Sequence, residues 1–306
     1  MTDTARDDGT GFAVRQTLMF FGYMFCALAL AAALTYPIML TGWVDHEPRR
    51  VMGRLAQLFM LAGLWPFLRS LRLDDRRSLG LLLPGPDLVR AIGIGWLLGL
   101  LTLAALVTME LGLGIRVPDD AWPSQLPSLL SRALAALIGG LLVGLLEELF
   151  FRGALYTSIR RGAGVAAAAG FSALLYALVH FLKPHDLPQG VGFDWAGAWV
   201  MFIGVFGGLF QWQHLDSLVA LFSAGVLLAL VRERSGHIGW SIGLHAGWVF
   251  VIQMTRRVTD GDDASPFAFL AGNYDGVIGW LGAAWIALLA WGFWRMSTPR
   301  RHSDSS

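Results

Sequence analysis

Charged residues are scarce in this sequence of 306 residues: only 15% are Asp, Glu, Lys or Arg, whereas 55% are hydrophobic. A soluble protein carries about 25% charged residues, so the composition excludes an ordinary soluble domain. With a mean hydropathy of +0.56, the chain is predicted to be a polytopic membrane protein. Cysteine is nearly absent too, and the single Cys26 excludes an intramolecular disulfide and a cysteine metal cluster.

Several motifs of familiar enzymes are missing as well. The sequence has no H-E-x-x-H motif, no Walker A loop, no dinucleotide-binding fingerprint and no nucleic-acid-binding module. Residues 239–243 fit the G-x-S-x-G pattern of serine hydrolases, but that motif requires a turn from a strand into a helix, and here it begins an apolar segment. We therefore predict no nucleic-acid partner and do not expect Ser241 to be a nucleophile.

What is abundant is long apolar segments, each long enough for a membrane-spanning helix. We predict an all-α polytopic membrane helix bundle with about eight transmembrane helices. The segment 195–215 is apolar but rich in glycine, so a re-entrant or interfacial helix and a ninth crossing are both open. The predicted spans are residues 12–36, 51–68, 88–113, 129–158, 165–182, 218–231, 238–254 and 277–296.

The uneven distribution of arginine orients the chain. With eight spans, the arginines at 69–77, 160–161, 232–234 and 300–301 fall on one side, and the acidic loops near 119 and 260–263 fall on the other. Because cytoplasmic loops are enriched in Lys and Arg, we expect both termini in the cytoplasm and the chain in the cell (inner) membrane. We divide it into an N-terminal region of about three spans (1–128), a core (129–256) and a last span with a polar tail (257–306).

Glu147, Glu148 and Arg152 are the most informative polar residues, because they lie within an apolar helix. Ionisable residues at membrane depth are costly and suggest function. Glu148 and Arg152 lie on one helical face and can form an ion pair, whereas Glu147 points about 100° away. A buried ion pair that only holds two helices together would leave Glu147 unexplained. We therefore assign one carboxylate to structure and the other to chemistry.

His180 and His245 lie within two other apolar segments. A lone histidine in an apolar helix is more often an interhelical hydrogen-bond donor than a ligand, but here two histidines accompany Glu147. At about 1.5 Å per residue, Glu147 and His180 lie roughly 20 Å and 22 Å from the hairpin at 160–161, so they can be level. We expect Glu147, His180 and His245 to converge within about 8 Å, a distance that one water or metal ion bridges.

These positions resemble the motifs of the CAAX prenyl protease and bacteriocin-processing (CPBP, Abi-type) family of intramembrane proteases. The motifs appear in the family order: E-E-x-x-x-R at 147–152, F-x-x-x-H at 176–180, F-x-x-G at 222–225 and H-x-x-x-N at 245–249. Tyr176 replaces the Phe of the second motif, and Val249 stands where the fourth motif has Asn. The resemblance covers about residues 129–253.

The resemblance implies an all-helical intramembrane endopeptidase that hydrolyses a bond in a peptide or membrane-protein substrate within the lipid bilayer. It implies that Glu147 and His180 activate a water molecule and that His245 joins the site. Glu148 with Arg152 would orient the site.

Two mechanisms remain open under this resemblance. The family is commonly called metalloprotease, and a zinc ion with an open water position would be bound by Glu147, His180 and His245. A metal-free route would use Glu147 as general base and His245 at the oxyanion. Because Val249 replaces the Asn, Trp248 or Gln253 would have to supply the missing donor.

A function of a different class is also open. In a non-catalytic transporter or immunity-type protein, the same intramembrane polar residues would form a proton or ligand path. The two classes differ in one geometric requirement. Hydrolysis needs Glu147 within hydrogen-bond reach of a reactive water, whereas transport tolerates a shifted carboxylate.

Overall fold

The computed structural model describes residues 4–296, and it describes their side chains except at 4–8, 125 and 210. Of the residues that the structure describes, 77% are helical, which confirms the predicted all-α membrane helix bundle. Arg300 and Arg301, which contribute to the predicted cytoplasmic placement of the C-terminus, lie outside the described residues.

Nine α-helices lie in the part of the chain that the structure describes. They are α1 (Thr4–Leu40), α2 (Pro48–Ser70), α3 (Gly85–Gly112), α4 (Leu126–Glu148), α5 (Tyr156–Val179), α6 (Trp195–Gly204), α7 (Leu215–Ser235), α8 (Gly239–Val258) and α9 (Trp280–Met296). A π-helix, Leu149–Leu155, joins α4 to α5. Two short strands, β1 (Arg116–Pro118) and β2 (Thr259–Gly261), pair antiparallel.

By length and composition, five helical segments among the described residues can cross a membrane. They are Gly9–Leu40, Pro48–Ser70, Gly85–Gly112, Leu126–Val179 and Trp212–Ser235. The fourth is 54 residues long, and because a span needs about 20 residues, it can hold both the predicted fourth and fifth spans. The chain is therefore a multi-pass membrane protein. The count of eight spans stays a prediction, because α8 and α9 are not among these five segments.

The ambiguous segment 195–215 contains a short helix. Helix α6 has 10 residues and begins after Asp194, whose side chain accepts a hydrogen bond from Gly197 N over 2.7 Å. Short 3-10 turns follow at Val205–Phe210 and Trp212–His214. A span needs about 20 residues, so these lengths favour a re-entrant or interfacial segment over a ninth crossing.

The chain forms two compact units. The first unit contains the described residues up to Asp75 and Ser158–Trp212, and the second contains Arg76–Thr157 and the described residues from Gln213 onward. The core of the first unit centres on Ala31, Met52 and Phe202 of α1, α2 and α6. In the second unit α8 packs against α3 and α4, and α7 packs against α9. The predicted division into 1–128, 129–256 and 257–306 stays a prediction.

Candidate active site

Glycine residues let α8 lie very close to α3 in the second unit. Gly95 and Gly99 of α3 contact Gly243 and Gly247 of α8. A Cβ atom at Gly243 would lie 2.1 Å from the Ile92 carbonyl oxygen, far inside a normal contact. Small residues allow such close approach of membrane helices. Gly95 and Gly99 thus form a small-residue packing face, and it holds the helix that carries His245.

A second glycine pair joins α8 to α4. A Cβ atom at Gly140 would lie 2.8 Å from the Ala246 carbonyl oxygen, and one at Gly144 would lie 3.0 Å from that of Ile242. These contacts lie within the last three turns of α4, which ends at Glu148. The close packing thus brings the end of α4, with its two carboxylates, beside the histidine-bearing helix.

Arg152, Glu148 and His245 form a continuous chain of charge-assisted hydrogen bonds. Arg152 Nη1 donates to Glu148 Oε1 over 2.9 Å, and the same oxygen contacts His245 Nδ1 over 2.9 Å. The side chains of Arg152 and Glu148 are 0% exposed, and that of His245 is 4% exposed. The ion pair expected between Glu148 and Arg152 is present, and its carboxylate also holds the imidazole.

The contact with Glu148 determines how His245 faces Glu147. An ionised carboxylate only accepts hydrogen bonds, so His245 Nδ1 carries a proton and donates a hydrogen bond to Glu148. The other ring nitrogen, Nε2, lies 3.6 Å from Glu147 Oε2. That separation exceeds a direct hydrogen bond, and Oε2 itself is buried, so the exposed part of Glu147 lies elsewhere on its side chain. The Glu147 side chain is 32% exposed, so it is the accessible member of the group.

Arg152 lies in the π-helix that follows Glu148. Such π-helical turns are rare and occur frequently at functional sites. Arg152 Nη2 donates to the carbonyl oxygen of Gly225 in α7 over 3.2 Å. Gly225 belongs to the predicted F-x-x-G motif, so that motif supplies a backbone acceptor for the arginine. The next residue, Gly153, passes so close to Leu79 that an added Cβ would lie 3.0 Å from the Leu79 carbonyl oxygen.

His180 belongs to the first unit and follows the last residue of α5. Its Nδ1 lies 2.7 Å from the carbonyl oxygen of Tyr176, and the two rings make an edge contact with centroids 4.6 Å apart. A carbonyl oxygen only accepts, so Nδ1 donates. The aromatic residue of the second motif thus orients the histidine. The convergence of His180 with Glu147 and His245 stays a prediction.

Val249 stands at the position where the fourth motif has Asn, and its side chain is apolar. Val249 packs against α4: a Cβ atom added at Gly140 would lie 3.6 Å from the Cβ atom of Val249. Trp248 has a single donor, and its Nε1 donates to Thr102 Oγ1 of α3 over 3.0 Å. The indole is therefore committed to helix packing, which disfavours the expectation that Trp248 replaces the Asn.

A zinc ion would find few ligands in this arrangement. Among the residues that the structure describes, no group of three or more His, Cys, Asp or Glu side chains is arranged to hold a metal ion. Catalytic zinc sites use three protein ligands, and Glu148 is already committed to Arg152 and His245. Zinc binding by Glu147, His180 and His245 stays a prediction.

An open polar cavity of about 460 Å³ lies beside β2 and the loop before α9. Arg116, Arg256, Tyr274 and Asp275 are among the residues that line it. Burial, followed by the charges of Asp275 and Glu147, raises the pKa of the Tyr274 hydroxyl. The sequence analysis did not single out this tyrosine, because it lies in a polar loop outside every motif.

Comparison with known proteins gives one match. Residues 129–251 match the family described as type II CAAX prenyl endopeptidase Rce1-like. No curated protein and no solved structure matches the chain. The match confirms the predicted family for the part of the chain that carries all four motifs. The match to this family indicates CAAX-type intramembrane protease activity in general. Such a protease acts on a peptide substrate in a membrane.

Proposed function

Because residues 129–251 belong to the Rce1-like family of type II CAAX prenyl endopeptidases, we propose that this protein hydrolyses a peptide bond with a water molecule activated by Glu147. The observation that carries the proposal is the series of hydrogen bonds that links Arg152, Glu148 and His245. Glu147 faces the other ring nitrogen of His245, Nε2. A buried pair alone would explain Glu148 and Arg152. It would not explain why a second carboxylate, partly exposed, faces the same histidine.

Glu147 is the general base in this proposal. A water held by the partly exposed Glu147 carboxylate gives a proton to it, and the oxygen of that water bonds to the carbonyl carbon of the substrate. The carbon–oxygen π electrons move to the carbonyl oxygen, which becomes the oxyanion. Glu147 then transfers its proton to the amide nitrogen as the carbon–nitrogen bond breaks, so one water yields one acid and one amine. A positioned acid or base of this kind typically contributes about 10²- to 10⁴-fold in rate.

His245 and Glu148 prepare the site for this reaction. Glu148 fixes the tautomer in which Nδ1 carries a proton, so Nε2 is the atom that faces Glu147. When His245 is protonated, Nε2 becomes a donor that stabilises the oxyanion. Arg152 holds the Glu148 carboxylate in place. These roles require no metal ion, whereas the zinc alternative would need Glu147, His180 and His245 as its three ligands.

The arginine pattern supports a location in the cell (inner) membrane with cytoplasmic termini. In the second unit, Ile238 N donates to Gly80 O over 3.0 Å, and Gly80 packs against the guanidinium of Arg232. The arginine-rich connections before α3 and after α7 therefore lie at one end of this unit. Since cytoplasmic loops are enriched in arginine, we place this end in the cytoplasm.

The test is peptide cleavage by the purified protein in lipid nanodiscs. The substrates are a library of prenylated and unmodified peptides, with products identified by mass spectrometry. We expect Glu147→Gln to lower kcat by at least about 10²-fold because the basic oxygen is lost, with an unchanged melting temperature. Glu47→Gln is the matched control, since it makes the same change in an exposed carboxylate.

Two results would contradict the proposal. Full cleavage by Glu147→Gln would remove this residue from the mechanism. A wild-type protein that cleaves nothing, with or without added Zn²⁺, would favour the non-catalytic transporter or immunity-type function. A parallel arm with a chelator separates the two mechanisms, because only the zinc route predicts a loss that Zn²⁺ restores.

A further inference from the structure

Arg232 lies in the last turn of α7, near the end of the candidate membrane span Trp212–Ser235. Its guanidinium rests on Gly80, which precedes another candidate span, Gly85–Gly112. A Cβ atom added at Gly80 would lie 2.7 Å from Arg232 Nε, 2.8 Å from Cζ and 2.9 Å from Nη2. The contact therefore lies where two candidate spans end, at the depth of the lipid headgroups.

The guanidinium of Arg232 forms no ion pair with the residues that the structure describes. Its Nε atom is buried and has no hydrogen-bond partner among them. The adjacent carboxylate, Glu233, accepts a hydrogen bond from the Tyr156 hydroxyl over 2.6 Å. Burying an N–H group without an acceptor is costly, and the cost is greater when the group is charged. Arg232 is thus a half-buried cation that an anion from outside the chain would neutralise.

The geometry of the contact with Gly80 differs from that of an arginine that only extends into water. Arginines at membrane-helix ends commonly keep the whole charged group in water, whereas Nε of Arg232 is buried. The N–H groups of a guanidinium lie in its plane, so a contact between its face and Gly80 does not use them. A phosphate group matches this planar arrangement and accepts two of the N–H groups at once.

Two further arginines precede Gly80 in the same turn. Gly80 N donates to Arg77 O over 3.1 Å, and Leu81 N donates to Arg76 O over 2.8 Å. Both arginines are exposed, so the surface near Arg232 is positively charged. Basic pockets between membrane helices bind anionic lipid headgroups. The position at the span ends favours a lipid phosphate over a phosphate that is free in solution.

We propose that Arg232 is the centre of a binding site for an anionic lipid headgroup, in which its guanidinium donates hydrogen bonds to the phosphate oxygens. The site does not depend on the proposed peptidase function, because it shares no residue with the candidate active site. The lipid is defined here by its phosphate and its negative charge, and the acyl chains would lie along the apolar surfaces of the two spans.

The loop that supports Arg232 also contacts the helices of the candidate active site. A Cβ atom added at Gly153 in the π-helix would lie 3.0 Å from Leu79 O. Ile238 N, directly before α8, donates to Gly80 O over 3.0 Å. A lipid bound to Arg232 would therefore stabilise a loop that lies against both helices. We expect this loop to open less often when the lipid is bound.

The first experiment measures lipid binding to the purified full-length protein by native mass spectrometry. Delipidated protein in detergent is titrated with phosphatidylglycerol, and phosphatidylcholine, which has no net charge, is the control lipid. Arg232→Gln should weaken phosphatidylglycerol binding by about tenfold to a hundredfold, the usual contribution of a hydrogen bond to a charged group. The matched control is Arg90→Gln, which removes an exposed arginine near the start of α3.

The control variant separates a specific site from the general attraction between a basic surface and anionic lipid. One surface arginine contributes about fivefold to such attraction, so Arg90→Gln should lose no more than that. Equal losses in the two variants would overturn the proposal, as would equal binding of both lipids by the wild type. Displacement of the lipid by inorganic phosphate at the same concentration would overturn it too, because the ligand would then be a phosphate from solution.

A second measurement keeps the test valid if Arg232→Gln does not fold. Amide hydrogen exchange of the wild-type protein is compared with and without phosphatidylglycerol. We expect slower exchange in residues 76–82, which contain the loop around Gly80. Residues 259–263, which follow the opposite end of α8, are the internal control and should not change. Unchanged exchange in residues 76–82, or an equal change in both segments, would overturn the proposed site.

Discussion

The two compact units pack their helices in different ways. In the first unit α1 and α2 meet through aromatic rings: Phe67 stacks on Tyr23 with centroids 4.3 Å apart and makes an edge contact with Phe20 at 5.0 Å. In the second unit α8 meets α3 and α4 through glycine, with backbone atoms in direct contact at Gly99 and Gly243. The interface in the first unit is filled by large side chains, whereas the interface in the second unit consists of glycines that have no side chain.

The difference matches what each interface has to hold. Aromatic rings tolerate small shifts, because their contact energy is spread over many atoms. The hydrogen-bond chain from Arg152 to His245 depends on two buried contacts of 2.9 Å, and buried polar networks tolerate little displacement. Glycine contacts fix the distance between helix backbones, so the candidate active site lies where the packing is least adjustable.

The largest effect on stability is expected when the buried pair of the second unit is broken. Glu148→Gln leaves the fully buried Arg152 without its counter-charge and weakens the contact with His245. Breaking one partner of a buried pair typically costs about 3–5 kcal/mol. We expect a lower melting temperature together with lower cleavage, whereas Glu147→Gln should lose cleavage alone. Equal melting temperatures for both variants would show that the two carboxylates do not differ in role.

A smaller effect is expected from the glycine interface, and adjacent glycines allow a matched test. Gly140→Ala places a methyl group 2.8 Å from the Ala246 carbonyl oxygen, whereas nothing lies within 4 Å of a Cβ at Gly139. Overpacking a tight contact typically costs about 1–3 kcal/mol, so Gly140→Ala should lower both melting temperature and kcat. Gly139→Ala should change neither. The same loss in both variants would indicate a general effect of alanine in α4.

The sequence predicted an interaction correctly where both of its residues lie close together along the chain. Glu148 and Arg152 are four residues apart, so their pairing followed from helix geometry. The contact between His245 and Glu148 joins residues 97 positions apart, and no local pattern contains it. The family resemblance placed both residues in one site but assigned no hydrogen bond between them.

Two features could not be predicted because they depend on tertiary structure. The π-helix at Leu149–Leu155 interrupts a segment whose residues are all compatible with an α-helix, so the predicted span 129–158 was continuous. The loop that contains Tyr274 is held by Arg116, which donates to the carbonyl oxygen of Gly276, a residue 160 positions away.

The smallest effect is expected in the aromatic interface of the first unit. Phe67→Leu keeps an apolar side chain of similar size but removes the ring contacts with Tyr23 and Phe20. Aromatic pairs contribute about 0.5–1.5 kcal/mol beyond their buried area, so the melting temperature should fall slightly. Phe269→Leu, at a side chain that is 67% exposed, is the matched control and should leave the melting temperature unchanged. Because aromatic contacts readjust, we expect kcat to stay within about twofold of the wild type. A loss of kcat as large as that of Gly140→Ala would mean that the two interfaces do not differ in how rigidly they support catalysis.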